Sequence, residues 1–146
     1  MILVDIDHTL SDAFWRDQML IGDHTTDWDA YHEASKDDKP LVMLRDIING
    51  LVTYDVVVIT GRSEKYRKLT LEWLVKHDFK VDELLMRPDN DFTPSPELKI
   101  KLAQNRLGDN LSEHVAFIIE NRLDVIQAFL DKGVPAIQIF ARGNSK

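Results

Sequence analysis

Short apolar runs alternate along the chain with segments in which apolar residues recur every three or four positions. The runs are rich in β-branched residues and lack polar alternation, which is typical of strands buried on both faces of a parallel sheet. We predict strands in the residues before Asp5 and at 54–60, 115–119 and 136–140, with a short edge strand at 83–86.

Helical spacing fills the gaps between these strands. The first predicted helix has Pro40 in its first turn, carries Leu41, Leu44 and Ile48 on one face and ends at Gly50. The second is capped by Ser63 and turns Tyr66, Leu69, Trp73 and Leu74 inward, and the third begins at Ser95 and Pro96 and turns Leu98, Leu102 and Ala103 inward. The fourth turns Leu123, Ile126 and Leu130 inward and ends at Gly133. This alternation predicts a single α/β domain over residues 1–146 with a doubly wound parallel sheet.

Residues 11–39 do not follow the alternation. They carry Phe14, Trp15, Trp28 and Tyr31 among many acids, and they are too long for a plain loop in a compact domain. We interpret them as a small, partly helical insertion after the first strand. Ligands of open α/β sheets bind beyond the carboxyl ends of the strands, so the insertion would lie over the site. The alternative is a surface excursion packed by its own aromatic residues.

The amino-acid composition excludes several kinds of protein and of site. The 146 residues are 44% hydrophobic, without a run of 18 apolar residues, so we expect a proper core and no membrane association. No basic region precedes the first apolar stretch, so we expect no secretory signal. We expect a cytoplasmic location. The absence of cysteine excludes disulfides, thiolate zinc sites and cysteine nucleophiles among these residues.

Net charge is −7, and residues 1–50 hold all of the excess. A protein that grips a long nucleic acid usually shows a basic stripe instead. The asymmetry therefore argues mildly against a long polyanion as partner. The alternative explanation is an acidic surface that keeps the protein soluble.

The most informative motif is Asp5-Ile6-Asp7-His8-Thr9-Leu10 at the end of the first strand. Positions i and i+2 of an extended strand point to the same face, so Asp5 and Asp7 can meet one substrate or one cation. Two such close carboxylates repel each other unless one is protonated or both face positive charge. The alternative is a polar turn in which Asp7 or Thr9 caps a helix.

Three further polar clusters follow strands or begin helices in the predicted topology. Thr60-Gly61-Arg62 offers a hydroxyl and free backbone N–H groups that suit a phosphate oxygen. Lys99 can place a cation over two carboxylates, and Glu120-Asn121 offers oxygen ligands that suit Mg²⁺. Alone, each is explained as a common turn, a solvated lysine or a helix cap. Together they supply what Mg²⁺-assisted phosphoryl transfer needs.

These motifs resemble the haloacid dehalogenase superfamily of phosphohydrolases. Within it, Thr60-Gly61-Arg62-Ser63-Glu64, residues 85–91 and residues 120–126 are most similar to the phosphatase domain of bacteriophage-type polynucleotide kinases. The resemblance implies a Rossmann-like sheet without a large cap domain. A Walker loop is absent from these residues, so no kinase half is expected.

The resemblance also implies a role for each matching residue. Asp5 would attack phosphorus to form an aspartyl-phosphate, and Asp7 would protonate the leaving oxygen and then activate water. Thr60 and Lys99 would complete the catalytic set. Mg²⁺ would be held by Asp5, the Asp7 carbonyl and the acidic pair, which in this chain is Glu120 and Asn121. Relatives often carry two acids there, and Asp124 is an alternative ligand.

For the substrate, we expect a phosphorylated nucleotide. The residues predicted to contact it are Thr9, Gly61, Arg62, Arg87, Trp28 and Tyr31. Aromatic rings stack on bases, and the acidic first third favours a nucleoside monophosphate. Two alternatives remain: removal of a 3′-phosphate from a nucleic acid end, and a non-catalytic phosphate-binding domain.

Overall fold

The computed structural model describes residues 1–20 and 25–141, and within them a five-stranded parallel sheet forms the centre. Its strands are β1 (Ile2–Val4), β4 (Val56–Ser63), β5 (Glu83–Arg87), β6 (Phe117–Glu120) and β7 (Ala136–Gln138). Their spatial order is β5-β4-β1-β6-β7, so β1 pairs with β4 on one side and β6 on the other. The order confirms the predicted doubly wound parallel sheet and places β5 at an edge.

Helices cover both faces of the sheet. They are α2 (Val42–Gly50), α3 (Arg67–Lys76), α4 (Ser95–Leu107) and α5 (Leu123–Leu130). One core cluster joins the sheet to α2 and α3 through side chains such as Leu44 and Trp73. A second cluster joins the opposite face to α4 and α5 through Ala103, Val125 and Phe129. The fully buried β1 lies between the two cores, which explains its unbroken apolar run.

The predicted inward face of α5 and the predicted start of α2 were wrong in part. In α5, Leu123 and Leu130 are exposed, whereas Val125 and Phe129 join Ile126 in the core. At α2, Pro40 lies outside the helix, because Leu41 is the N-cap and Pro40 pairs with Ser11. An edge strand tolerates proline, which has no N–H to donate.

The predicted cap of α3 was also wrong. Ser63 makes no side-chain capping bond, because its hydroxyl bonds to the Asp89 carboxylate instead. A short 3₁₀ turn, Glu64–Tyr66, then leads into α3. Ser63 thus ties the end of β4 to the loop after β5.

The segment after β1 forms a small layer of its own. Strands β2 (Ser11–Asp12) and β3 (Lys39–Pro40) pair antiparallel at its base, and α1 (Trp28–Glu33) lies between 3₁₀ turns at Phe14–Met19 and Ala34–Asp37. Residues 21–24 of the predicted insertion and 142–146 of the predicted domain lie outside the described residues. Among the described helices, none is long and apolar enough to cross a bilayer.

Candidate active site

A cavity of about 970 Å³ opens above the carboxyl ends of β1, β4 and β6. Of the sequence-predicted site residues, the structure brings these to its wall: Asp5, Asp7, Trp28, Tyr31, Thr60, Gly61, Arg62, Arg87, Lys99 and Asn121. Thr9 and Glu120 are fully buried directly behind them. The parallel topology explains the convergence, because it directs every strand end toward the same edge.

Asp5 is held on two sides. Thr9 Oγ1 donates to Asp5 Oδ2 at 3.0 Å, and Lys99 Nζ donates to Asp5 Oδ1 at 2.6 Å. Burial raises the pKa of Asp5 to about 7, against the lowering effect of Lys99. The carboxylate is therefore fixed in direction but costly to ionise, and it would be stabilised by further positive charge.

Lys99 lies between Asp5 and Glu120. Its ammonium donates to Glu120 Oε2 at 2.7 Å, and the other Glu120 oxygen accepts the backbone N–H groups of Asn121 and Arg122 at 2.9 and 3.1 Å. Burial would lower the pKa of Lys99, but the two carboxylates outweigh it and raise that pKa. Glu120 thus keeps the cation charged and holds the turn after β6.

Asn121 completes a cluster of oxygen atoms. The end of its carboxamide that faces Asp5 lies 3.0 Å from Asp5 Oδ2, 3.2 Å from the Asp7 carbonyl oxygen and 2.8 Å from Glu120 Oε1. With nitrogen at that end, Asn121 donates to these oxygens. With oxygen there, it accepts from Thr9 at 3.3 Å, and several acceptors meet without a proton between them.

The oxygen cluster could hold Mg²⁺ when the oxygen of the Asn121 carboxamide faces Asp5. Octahedral Mg²⁺ with bonds of 2.0–2.1 Å would set neighbouring ligands about 2.8–3.0 Å apart, and the spacings around Asn121 are 2.8–3.2 Å. No three carboxylate, imidazole or thiolate side chains in residues 1–20 and 25–141 are grouped for a metal ion. Carboxylate, carbonyl and amide oxygens are the donors instead, and these are the ligands of a hard cation.

Asp124 lies apart from this cluster. Its carboxylate pairs with Arg122 at 2.7 Å and accepts the backbone N–H of Val125 at 2.9 Å. The structure thus brings Asn121, and not Asp124, next to Asp5.

Asp7 faces two guanidinium groups. Arg62 donates to its two oxygens at 2.6 and 3.1 Å, and Arg16 also donates to it. Burial would raise the pKa of Asp7, but Arg62 and then Arg16 outweigh it and hold that pKa well below its usual range. Arg62 thus contacts Asp7 and Thr70 from a buried position at the cavity wall.

Arg16 is a site residue that the sequence analysis missed. It is fully buried and bridges Asp7 to Asp38, which accepts from its Nε at 2.9 Å and its Nη2 at 2.8 Å. Its guanidinium also lies 4.5 Å from the centre of the Tyr31 ring. The signal was available, because Arg16 is the only arginine within residues 11–39.

Other predicted contact residues shape the wall of the cavity. The Thr60 hydroxyl accepts the backbone N–H of Arg62 at 3.1 Å. Arg87 donates to the carbonyls of Gly61, Asp91 and Thr93 at 2.8, 3.0 and 2.6 Å, and so braces the loop after β5. Both residues order the backbone around the place where a phosphate would enter.

The two predicted aromatic residues differ in their surroundings. Tyr31 is buried, and its hydroxyl donates to Asp17 at 3.3 Å, so its ring packs within the insertion. Trp28 is 56% exposed and stacks on His32, with ring planes 26° apart. Burial lowers the pKa of His32 to about 4, so this ring is neutral at pH 7. Both residues line the cavity, and Trp28 is the more accessible of the two.

Comparisons with known proteins bear on the family and the fold. A family model described as the polynucleotide kinase PNKP phosphatase domain matches residues 1–144. No curated protein sequence matches the chain.

Several solved structures share the fold. A chain of the Pnkp1/Rnl/Hen1 complex superposes with a TM-score of 0.73 and 23% identity, covering 94% of this chain and 45% of that one. The class C acid phosphatase from Bacillus anthracis with tungstate bound superposes with a TM-score of 0.63 and 15% identity, covering 94% of this chain and 65% of that one. A putative beta-phosphoglucomutase from Thermotoga maritima superposes with a TM-score of 0.57 and 14% identity, covering 99% of this chain and 88% of that one. The present chain spans less than half of the first of these.

Proposed function

The chain belongs to the family of the polynucleotide kinase PNKP phosphatase domain, of the haloacid dehalogenase superfamily, and is a phosphatase. From that premise we propose that it hydrolyses the phosphate ester of a nucleotide in two steps, through an aspartyl-phosphate on Asp5, with Mg²⁺. The observation that carries the proposal is the fixed Asp5 carboxylate at the wall of an open cavity, between Lys99 and an oxygen cluster.

In the first step an Asp5 carboxylate oxygen forms a bond to phosphorus, and the bond from phosphorus to the ester oxygen breaks. Asp7 gives its proton to the departing oxygen. In the second step ionised Asp7 takes a proton from water, whose oxygen bonds to phosphorus as the aspartyl bond breaks. Arg16 and Arg62 favour the ionised form of Asp7, which suits the second step. The first step needs the protonated form, which the negative charge of a bound phosphate beside Asp7 would favour.

The residues that would hold Mg²⁺ are Asp5, the backbone carbonyl of Asp7 and Asn121, with Glu120 beside them. When bound, the cation supplies positive charge that favours ionised Asp5 and offsets the charge of the phosphate. Lys99 supplies a second positive charge from the opposite side of the same carboxylate.

We propose a nucleoside monophosphate as the substrate. The exposed face of Trp28 beside the phosphate site suits a base, and the acidic first third of the chain does not favour a long strand. A second candidate is the 3′-phosphate at a nucleic acid end. The family match and the likeness to a chain of an RNA repair complex favour it.

Phosphate release from a panel of substrates tests the proposal. The panel holds nucleoside 3′- and 5′-monophosphates, 3′-phosphorylated oligonucleotides and sugar phosphates, each with and without Mg²⁺. We expect Mg²⁺-dependent release from nucleotides, together with an acid-stable, base-labile phosphoenzyme on rapid quenching. Hydrolysis of sugar phosphates alone would contradict the nucleotide assignment, and inactivity on the whole panel would contradict the proposal.

A further inference from the structure

We propose that Trp28 and Phe92 form a two-sided site for one unpaired nucleobase at the mouth of the cavity. The inference rests on the proposed function and narrows its substrate class to a nucleotide whose base is not in a duplex. Both residues line the same cavity as Asp5 and Lys99, but they come from different segments: α1 and the loop after β5.

Trp28 is held from behind. Its ring stacks on His32, whose ring centre lies 4.8 Å from that of Tyr66. The neighbouring Asp29 accepts from the Tyr66 hydroxyl and pairs with Lys65 at 2.6 Å. The inner face of Trp28 is thus supported by rings anchored to the turn before α3. Tyr31 also meets Trp28 edge to face, 5.8 Å between ring centres, and within the described residues the Trp28 side chain stays 56% exposed for a planar ligand.

Phe92 is held in an outward position by its neighbours. Asp91 accepts from the backbone N–H and the hydroxyl of Thr93 at 2.9 and 2.6 Å, while Arg87 donates to the carbonyls of Asp91 and Thr93. Both neighbours therefore turn toward the protein, and the phenyl ring between them turns away and is 90% exposed. A large apolar ring this exposed at the wall of the same cavity would gain by covering a base.

The charge of the cavity points to a ligand that supplies few phosphates. Five acidic and five basic side chains line it. Of the basic ones, Arg62, Lys99 and Arg122 are bonded to Asp7, Asp5 and Asp124, and Lys65 is bonded to Asp29. A protein that binds a long nucleic acid relies on a surplus of positive charge to contact the phosphate backbone. Here the terminal phosphate and the base are the groups for which the cavity is built.

An aromatic ring on either side can cover a base only when that base has left its stack. A blunt duplex end keeps the terminal base paired and stacked on its neighbour, so unpairing would cost free energy before binding. A mononucleotide or a single-stranded end has no such cost. The proposed site therefore selects for unpaired nucleotides without reading a base-pairing edge.

Two matched substrate pairs test the site. The first pair is a nucleoside monophosphate and a sugar phosphate that lacks the base but carries phosphate on the same carbon. The nucleotide chosen is the 3′- or 5′-monophosphate that the wild type hydrolyses faster. The second is one 3′-phosphorylated oligonucleotide, single-stranded or in a blunt duplex. For Trp28→Ala and Phe92→Ala, we expect kcat/KM for the nucleotide to fall about 5- to 150-fold, mostly through KM. The loss on the base-free partner should be several times smaller, and wild type should prefer the single strand.

Phe140→Ala is the matched control, because this phenylalanine is also exposed but does not line the cavity. It should leave all rates unchanged. Equal losses on both partners of the first pair, or a wild type that hydrolyses them equally well, would overturn the base site while leaving the phosphatase proposal standing. Equal rates on single strand and duplex would overturn the selection for unpaired bases. Inactivity of wild type on both pairs would contradict the proposed function instead.

Binding gives a readout that does not depend on turnover. In the inactive Asp5→Asn variant, a nucleotide that stacks on Trp28 should quench tryptophan fluorescence. In the double variant that also carries Trp28→Phe, this quenching should disappear. Trp15 and Trp73 remain as internal references in both variants. Absence of quenching by saturating nucleotide in Asp5→Asn would contradict the base site independently of any activity assay.

Discussion

Arg16 Nη2 and Asp38 Oδ2 form a fully buried ion pair, 2.8 Å apart, beneath the cavity. Breaking a buried pair leaves an uncompensated charge, which costs about 3–5 kcal/mol. Asp38→Ala should therefore lower the free energy of unfolding by about that amount, as measured by urea denaturation. Asp46→Ala is the control, because Asp46 pairs with Arg45 at the surface and should change stability by less than about 1 kcal/mol. Similar values for both variants would show that the Arg16–Asp38 pair does not support the fold.

Asp5→Asn should abolish turnover, because an amide cannot attack phosphorus. The fold should survive, since the amide oxygen can still accept from Thr9 or Lys99. Steady-state phosphate release and a circular dichroism spectrum check the two parts. A folded variant with a tenth of the wild-type rate would exclude Asp5 as the nucleophile.

Asp7→Asn should lower kcat by about 10²–10⁴-fold, the loss usual for general acid–base catalysis. The loss should be greater for a nucleotide than for a nitrophenyl phosphate, whose leaving oxygen needs less help from a proton. The measurement is the loss in kcat/KM for each ester, because kcat/KM reports the steps up to the phosphoenzyme and excludes the second step that both esters share. An equal loss on both esters would mean that Asp7 positions Arg16 and Arg62 rather than transferring a proton.

Removal of divalent ions with a chelator should abolish activity, and Mg²⁺ should restore it. Ca²⁺ should restore it poorly, because its larger and looser ligand shell misplaces the nucleophile. Asn121→Ala should raise the Mg²⁺ concentration needed for half-maximal activity, since the carboxamide that lies beside Asp5 and would turn its oxygen to the cation is lost. Asp124→Asn should not, because Asp124 pairs with Arg122. The reverse result would move the metal ligand to Asp124.

His32 should titrate far below its ordinary pKa of 6.5, because burial lowers it to about 4. As pH falls from 6.5, the unfolded chain takes up a proton before the folded one, so His32 makes the free energy of unfolding decrease toward pH 4. His32→Phe keeps an aromatic ring and removes this contribution. Its stability should therefore fall less than that of wild type over the same range. An NMR titration midpoint near 6.5 for His32 would contradict the expectation.

Much of the fold follows from local patterns in the sequence. β-branched runs such as the one before Asp5 locate the strands, and alternation with helices fixes the parallel topology that brings Lys99 to Asp5. The inward face of α5 was not determined by spacing alone, because Ile126 belongs to two possible stripes. One includes Leu123 and Leu130; the other, which the core selects, includes Val125 and Phe129.

The surroundings of Asp7 could not be predicted from local patterns. Arg16 and Asp38 lie 22 positions apart in a segment without helical or strand periodicity, and only tertiary structure brings them together. The same holds for Phe92, whose outward position depends on hydrogen bonds made by its neighbours. The sequence thus indicated the reacting groups at strand ends more readily than the residues that hold or surround them.

The central position of β1 has a consequence during synthesis of the chain. β1 precedes both of its sheet partners, and the second partner, β6, ends at Glu120. At about 5–20 residues per second, the first strand waits for several seconds or longer before both of its edges can pair. During that time an apolar, β-branched segment stays available to the wrong strands of other chains. Asp5 and Asp7 follow it directly, and charged residues next to an exposed strand disfavour such pairing.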